Sequence, residues 1–376
     1  MKYTLILGIF LVFVQLICHQ IQNEMFRYQE TNTTFSVPVE GIYMNHTWLV
    51  FLWFGAWVRC CYKRTKTWYT SPINPLRKFI KNALEHWSIH ELIFKIIVLE
   101  WIMFVPNVAW TMSVERVSVT LSIATQQSTC VFVYLFTLCC FKEINKGKKP
   151  TSKIIPALAV ISCLFGVLLV YFGEENTGDV GDGKISNYLL LSVNPVLIAV
   201  FDLIFTKWSN IICQDVEDIM CLMGFMGIAC CITCWPALLV DDSAFQLPWP
   251  RTMNGFLLYG NSVFATCFNF SFMFGLSLMG ALFISVGSVL QLPLSAITDL
   301  FFYNQPLDPN TVFGCLFIIG GFVVLTFIIE NNETTEEQKQ EPVKEEEGLL
   351  EEEGLLEEEG LLEEGGLLEE EIIDDI

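Results

Sequence analysis

The chain has 376 residues, 53% of them hydrophobic, with 31 Phe, and a formal net charge of −20. Its mean hydropathy is +0.50, and the apolar residues fall in blocks of about 20, the length that crosses roughly 30 Å of hydrocarbon; a soluble domain, with apolar residues alternating with polar ones, is excluded. The acidity belongs to one end, since residues 331–376 hold 20 Asp and Glu against two Lys and leave a net charge of only −2 before them, so no charged face points to nucleic acid.

Taken in order, ten apolar blocks run at 4–22, 46–62, 92–113, 117–140, 154–173, 187–207, 217–240, 254–276, 279–303 and 310–329. The expected fold is an all-α polytopic membrane protein. The first block, with Lys2 before it, resembles a signal peptide, but its apolar run continues through Ile17 to Ile21 without a clear small-residue cleavage site and is kept as a span. The loop at 63–91 carries Lys63, Arg64, Lys66, Arg77, Lys78 and Lys81, and that at 141–153 carries five Lys, whereas the loops at 23–45 and 174–186 hold one basic residue each. By the positive-inside rule both termini are expected in the cytoplasm. The sequons at Asn32 and Asn45 then fall on the other side; Asn32, farther from the bilayer, is the expected glycan acceptor.

Ten spans divide into two fives, 1–173 and 174–329. VPNVAWTMSVERVSVTLSIA at 105–124 lies over CFNFSFMFGLSLMGALFISV at 267–286 with a constant offset of 162, which pairs Asn107 with Asn269 and Trp110 with Phe272. The fifth and tenth blocks share a glycine before β-branched and leucine residues, at Gly166 and Gly321. A five-span repeat is odd in number, so its second copy must be inverted, and inverted repeats that meet at a midplane site are a common plan of secondary transporters.

From residue 330 to 376 the chain becomes an acidic low-complexity tail, expected to be cytoplasmic and disordered. It repeats EEEGLL, and the pairs Leu349–Leu350, Leu355–Leu356 and Leu361–Leu362 each complete an acid-x-x-x-Leu-Leu pattern. The plain reading is a low-complexity expansion. The sharper one is a sorting signal read by a clathrin adaptor, which would send the protein to endosomal, vacuolar or lysosomal membranes; the plasma membrane is the alternative location.

Polar groups at membrane depth are expensive and mark pathways. Residues 268–303 form an apolar stretch with a hairpin at Leu276–Gly280, interrupted by Asn269, Ser285, Ser288, Gln291 and Asp299. Across the chain, Glu100, Asn107, Gln126, Gln127, Asn269, Ser288 and Gln291 are the candidate substrate-binding residues. Glu100, Asp202 and Asp299 are candidate coupling carboxylates, with a proton as the coupling ion. Asp202 and Asp299 lie toward span ends, where a carboxylate can instead reach the interface. No Lys or Arg stands at mid-depth, although a phosphate ester would call for one. Acids with amides suit a cation or a proton-coupled neutral solute, and Trp101, Trp110, Tyr134, Phe268 and Phe272 offer faces for a flat ring or a cation. Pro106, Pro195 and Pro293 fall inside spans, and Pro293, after Gly287 and Ser288, has the makings of a hinge.

No catalytic motif is visible, the four histidines lie outside the deep spans, and the 14 cysteines sit mostly in apolar blocks. Cys231 and Cys234 form a CxxC with no second pair nearby, so neither a metal nor a cofactor is expected.

The run from Phe268-Asn269 to Leu292-Pro293-Leu294-Ser295-Ala296-Ile297-Thr298-Asp299 resembles the drug/metabolite transporter superfamily. It is most similar to the F branch of the nucleotide-sugar-transporter-related solute carriers, which includes thiamine-transporter-like members. Glu115-Arg116 before Val119, and Cys163 to Val170, fit the same pattern; the likeness covers about residues 92–329 and excludes the tail. It implies ten helices in two inverted five-helix repeats around a pocket lined by the third, fourth, eighth and ninth. Asn269 and Asp299 match the branch motif. The expected function is secondary transport of a small organic solute by alternating access, cationic and thiamine-like. The alternatives are a nucleotide-sugar-type carrier and a non-transporting scaffold or sorting protein that acts through its tail.

Overall fold

A computed structural model describes residues 2–32, 38–63, 73–114, 125–140, 151–175, 185–239, 251–304 and 308–327, which are helices and turns with no strand among them. Lys2–Leu325 form one compact unit. Of the residues outside that unit, only Thr326 and Phe327 are described. Among the described residues, seven segments are long and apolar enough to cross a membrane: Tyr3–Met25, Ile89–Trp110, Ser192–Ile212, Val216–Thr233, Met253–Met279, Ala281–Phe302 and Pro309–Phe327. The protein is a multi-pass helical membrane protein.

The helices are α1 (Lys2–Asn32), α2 (Pro38–Thr47), α3 (Phe51–Lys63), α4 (Ile73–His86), α5 (Ile89–Val114), α6 (Thr129–Cys140), α7 (Thr151–Glu175), α8 (Ile185–Ile212), α9 (Val216–Thr233), α10 (Met253–Met279), α11 (Ala281–Ser288) and α12 (Gln291–Tyr303). A last helix, α13, covers Pro309–Phe327.

Among the described residues, one of the ten expected spans takes another form. The block at 46–62 is two short helices joined by a 3-10 turn at Trp48–Val50, and helix already begins at Pro38 in what reads as loop. The tight turn has a packing cause: a Cβ on Gly227 of α9 would come within 2.6 Å of the Val50 nitrogen, so bare backbone lets the turn seat against α9. The block at 117–140 is described from residue 125 and holds the 12-residue α6, and the block at 154–173 lies within the 25-residue α7.

The basic loop at 63–91 also contains a helix. In α4, Pro75, Phe79 and Ala83 recur every fourth residue and are buried, while Arg77, Lys78 and Lys81 are exposed. That spacing makes one apolar stripe on an otherwise polar helix. Lys78 Nζ lies 2.6 Å from Asp215 Oδ2 at the start of α9, and Asp215 beside it holds the ammonium above the ordinary lysine range. Asp218 Oδ2 accepts from the backbone N–H groups of Gln214 and Asp215 at 3.0 and 3.3 Å, which closes the helix start.

The 268–303 stretch turns where its glycine permits. Helix α10, capped by Thr252 Oγ1 accepting from the Gly255 N–H, runs to Met279, and Gly280 then adopts φ +84°, which L side chains rarely take. Past the turn, α11 and α12 form one span interrupted at Val289–Leu290. Pro293 supplies no N–H to the carbonyl of Val289, so Leu292 N–H takes that carbonyl instead at 3.1 Å and the helix tightens locally. Pro106 and Pro195, by contrast, sit inside continuous helices, and Asn194 Nδ2 ties α8 to α5 by donating to Pro106 O at 2.8 Å.

Helices α7 and α13 meet through small residues. A Cβ at Gly166 would fall 2.5 Å from Gly314 O, and one at Gly321 would fall 2.6 Å from Cys163 Sγ. The glycines that mark the two similar blocks in sequence are therefore the contact between those helices, the small-residue packing typical of membrane bundles.

Candidate functional site

Helices α1, α5, α8, α10, α11 and α12, with the segment before α6, enclose a cavity of about 100 Å³. Its walls bring together six of the seven sequence-derived binding candidates: Asn107 from α5, Gln126 and Gln127 before α6, Asn269 from α10, Ser288 at the end of α11 and Gln291 at the start of α12. Asn107 and Asn269, the pair related by the 162-residue offset, line the same space; Phe272 does so as well, whereas its offset partner Trp110 does not.

Asp202 is the acid of this cavity. It is 1% exposed on α8, and Oδ2 accepts a hydrogen bond from Ser285 Oγ at 3.0 Å. Its place toward one end of its block in sequence allows an interfacial role, but packing by Phe201, Ser285 and α11 encloses it. Three acceptor oxygens on lining residues receive no hydrogen bond among the described residues: Gln15 Oε1, Asp202 Oδ1 and Gln291 Oε1. Phe268 and Phe272 stack along α10 with centroids 5.9 Å apart and planes 11° from parallel, which adds an aromatic wall. No Lys or Arg is among the described lining residues.

Glu100 is placed elsewhere. It is fully buried, with Oε1 2.7 Å from His46 Nδ1, and is not among the cavity residues. Met103 and Asn107, one and two turns further along α5, reach the cavity instead, and Asn107 Nδ2 lies 3.3 Å from His46 Nε2. Asp299 is half-buried on α12 and likewise outside the cavity lining. Of the three candidate coupling carboxylates, Asp202 alone is at the cavity. Trp101 is partly exposed, with Nε1 donating to Thr233 Oγ1 at 3.0 Å.

One histidine departs from the expectation that all four lie outside the deep spans, and a second is buried beside them. His19, within the Tyr3–Met25 segment, lines the cavity with its ring 5.1 Å from that of Phe268, and His46 is buried against Glu100. The physical reason is that α1 packs along α10 as a full member of the bundle. Its polar residues face inward: Gln15 Nε2 donates to Ser288 Oγ at 2.7 Å, and Gln20 Oε1 accepts from Gln291 Nε2 at 2.6 Å. Gln15 and His19, four residues apart in an apolar run, are the signal by which sequence reading could have found this face.

Asn45 is hydrogen-bonded inside the fold, its Oδ1 accepting from Ser262 Oγ at 3.0 Å and Asn261 Nδ2 at 3.4 Å. Asn32 ends α1, and the turn at Glu115–Arg116 and the tail with Leu349 to Leu362 lie outside the described residues.

No family model matches the chain. Among curated proteins, it is 22% identical over 205 residues to the "Uncharacterized transporter C405.03c" of Schizosaccharomyces pombe, a match that covers 52% of this chain and 58% of that one. The chain thus matches little more than half the length of that relative. Among solved structures, one crystal structure superposes with a TM-score of 0.57 at 10% sequence identity, covering 88% of this chain and 99% of the other, a likeness of fold alone.

Proposed function

We propose that the chain is a secondary transporter of a small organic cation, working by alternating access around the cavity at Asp202. The observation that carries this reading is the sign of the cavity. Among the described residues it contains a buried carboxylate with one oxygen unmet and two amide oxygens that lack donors, flanked by an aromatic pair, with no Lys or Arg. Unmet acceptors call for a ligand that brings N–H groups or positive charge, since a buried acceptor left without a donor is costly. The aromatic faces favour the same ligand. A nucleotide sugar would present phosphate oxygens to this acceptor-rich wall and is disfavoured.

The description of the fission-yeast relative as a transporter supports the class. A thiamine-like compound, a flat cationic heterocycle with amine donors, is the proposed cargo type. A cavity of about 100 Å³ holds a few waters, whereas ligand pockets are commonly about 300–1,000 Å³. Loading therefore requires the walls to part, and the interrupted span at Val289–Leu290 is the proposed place where they do. Asp202 is the proposed site where proton and cation compete. Ten helices in two inverted repeats, cytoplasmic termini and adaptor-read sorting through the tail complete the reading, supported by the loop charges, by the shared cavity position of Asn107 and Asn269, and by the Leu pairs.

The test is uptake of labelled thiamine and of a labelled nucleotide sugar into proteoliposomes that contain the full chain. Saturable uptake of the cation, abolished in a folded Asp202→Asn variant, supports the proposal. Flux of the nucleotide sugar alone, or no solute flux across a panel of organic cations, sinks it in favour of a sugar carrier or a scaffold.

A further inference from the structure

Away from the cavity, the carboxylate of Glu100 on α5 meets two thiols on α9. One carboxylate oxygen of Glu100 and the sulfurs of Cys230 and Cys234 all lie within 4.8 Å of one another, and all three residues are buried. The thiols stand four residues apart, on one face of α9 at its end, where Cys234 N–H still bonds Cys230 O at 2.9 Å. The surroundings are apolar: Phe104, Ile42, Tyr43, Val108 and Ala237 pack around the two cysteines.

The hydrogen bonds define what this group lacks. Asn107 Nδ2 donates to His46 Nε2, so the imidazole carries its proton on Nδ1 and donates it to Glu100 Oε1. The imidazole thus orients the carboxylate through one of its two oxygens. Glu100 Oε2 accepts no hydrogen bond among the described residues. A buried carboxylate with one oxygen fixed by a histidine and the other unmet among the described residues, beside two thiols in an apolar shell, is a donor set suited to a cation. Ligating carboxylates are commonly held in this way by outer hydrogen bonds, as His46 holds Glu100 here.

We propose that Glu100, Cys230 and Cys234 bind one thiophilic divalent cation of the Zn2+ class, with His46 as the positioning residue and a fourth coordination position open. Two thiolates and a carboxylate are ligands that Zn2+ takes in tetrahedral sites. The ion displaces the two thiol protons to solvent when it binds. It ties α5 to α9, and through His46 it is linked to Asn107 on the cavity wall. The CxxC of the sequence is a misleading guide, because Cys231 faces outward and Cys230, one residue earlier, is the partner of Cys234. This site stands independently of the transport reading.

The test uses the full chain, purified in detergent under a thiol-free reductant, stripped with chelator and titrated with Co2+ as a spectroscopic stand-in for Zn2+. The expected result is about one Co2+ per chain with the charge-transfer absorption of thiolate ligation, displaced by Zn2+. Cys231→Ser retains it, Cys230→Ser/Cys234→Ser loses it, and Glu100→Gln and His46→Gln each bind Co2+ about tenfold more weakly or worse. X-ray absorption of the Zn2+-loaded wild-type protein needs no variant to fold, and should show two sulfur ligands. No charge-transfer band in the wild type, a metal shell without sulfur, a band lost in Cys231→Ser, or unchanged affinity in folded Glu100→Gln overturns the proposal.

Discussion

Gln15 of α1 donates through Nε2 to Ser288 Oγ of α11 at 2.7 Å, across 273 residues of sequence. Ser288 Oγ in turn donates to Ile284 O at 2.9 Å, so the first helix is tied to the span that turns at Pro293 by a short polar chain. Such bonds between membrane helices contribute about 0.6 kcal/mol on average and at most about 1.7. A double-mutant cycle with Gln15→Leu and Ser288→Ala is therefore expected to give a coupling free energy in that range. Independent, additive effects on unfolding in detergent would show that the two side chains do not interact.

The contact between α7 and α13 predicts a strong dependence on side-chain size. A methyl group at Gly166 would collide with Gly314 O, whereas one at Gly320 meets nothing within 4 Å. Gly166→Ala should lower stability by about 1–3 kcal/mol, and Gly320→Ala should leave it near the wild-type value. Equal melting temperatures for the two variants would contradict the packing.

The His46–Glu100 pair predicts an asymmetry between single and double replacement. In metal-free protein, His46→Ala takes the donor from a fully buried carboxylate oxygen and is expected to cost about 1–3 kcal/mol. His46→Phe combined with Glu100→Leu replaces both polar groups by apolar ones and should be markedly less harmful. Chemical denaturation of the three proteins compares them directly.

The Lys78–Asp215 bridge joins α4 to the start of α9 at the surface, with both side chains nearly half exposed. Solvent and salt screen it, so its contribution is at most about 1 kcal/mol. Because Lys78 is raised in the folded state, that contribution is fully present below the ordinary lysine value of about 10.4 and is lost as pH climbs through the higher folded value. The melting-temperature gap between wild type and Lys78→Met should thus be present at neutral pH, shrink in strong alkali and shrink in high salt. A gap that widens with alkali would reverse the assigned sign.

Much of this was legible in one dimension. Long apolar blocks announce spans because backbone groups in lipid must be bonded within the segment. Asn107, Gln126, Gln127, Asn269, Ser288 and Gln291 stood out because amides and hydroxyls are rare at that depth, and they line one cavity. Three features were not legible. Glu100 shares the helix face of Asn107, but His46 from another helix intercepts it. Gln15 and His19 were overshadowed by the question of whether the first block is a span at all. Helix α4 was hidden in a basic loop, because its apolar stripe is only three residues long.

The sequence by itself determined the solvent, the helical class, the turn at Gly280 and the rarity of charge at depth, since hydrophobic length and backbone sterics are local properties. Tertiary structure decided which polar groups share a space. Asp202 joins the cavity, Glu100 leaves it for His46, and Cys230 rather than Cys231 comes to stand with Cys234 and Glu100. Those outcomes depend on the rotation of each helix about its axis and on the neighbour it meets, and helices from distant parts of the chain set both.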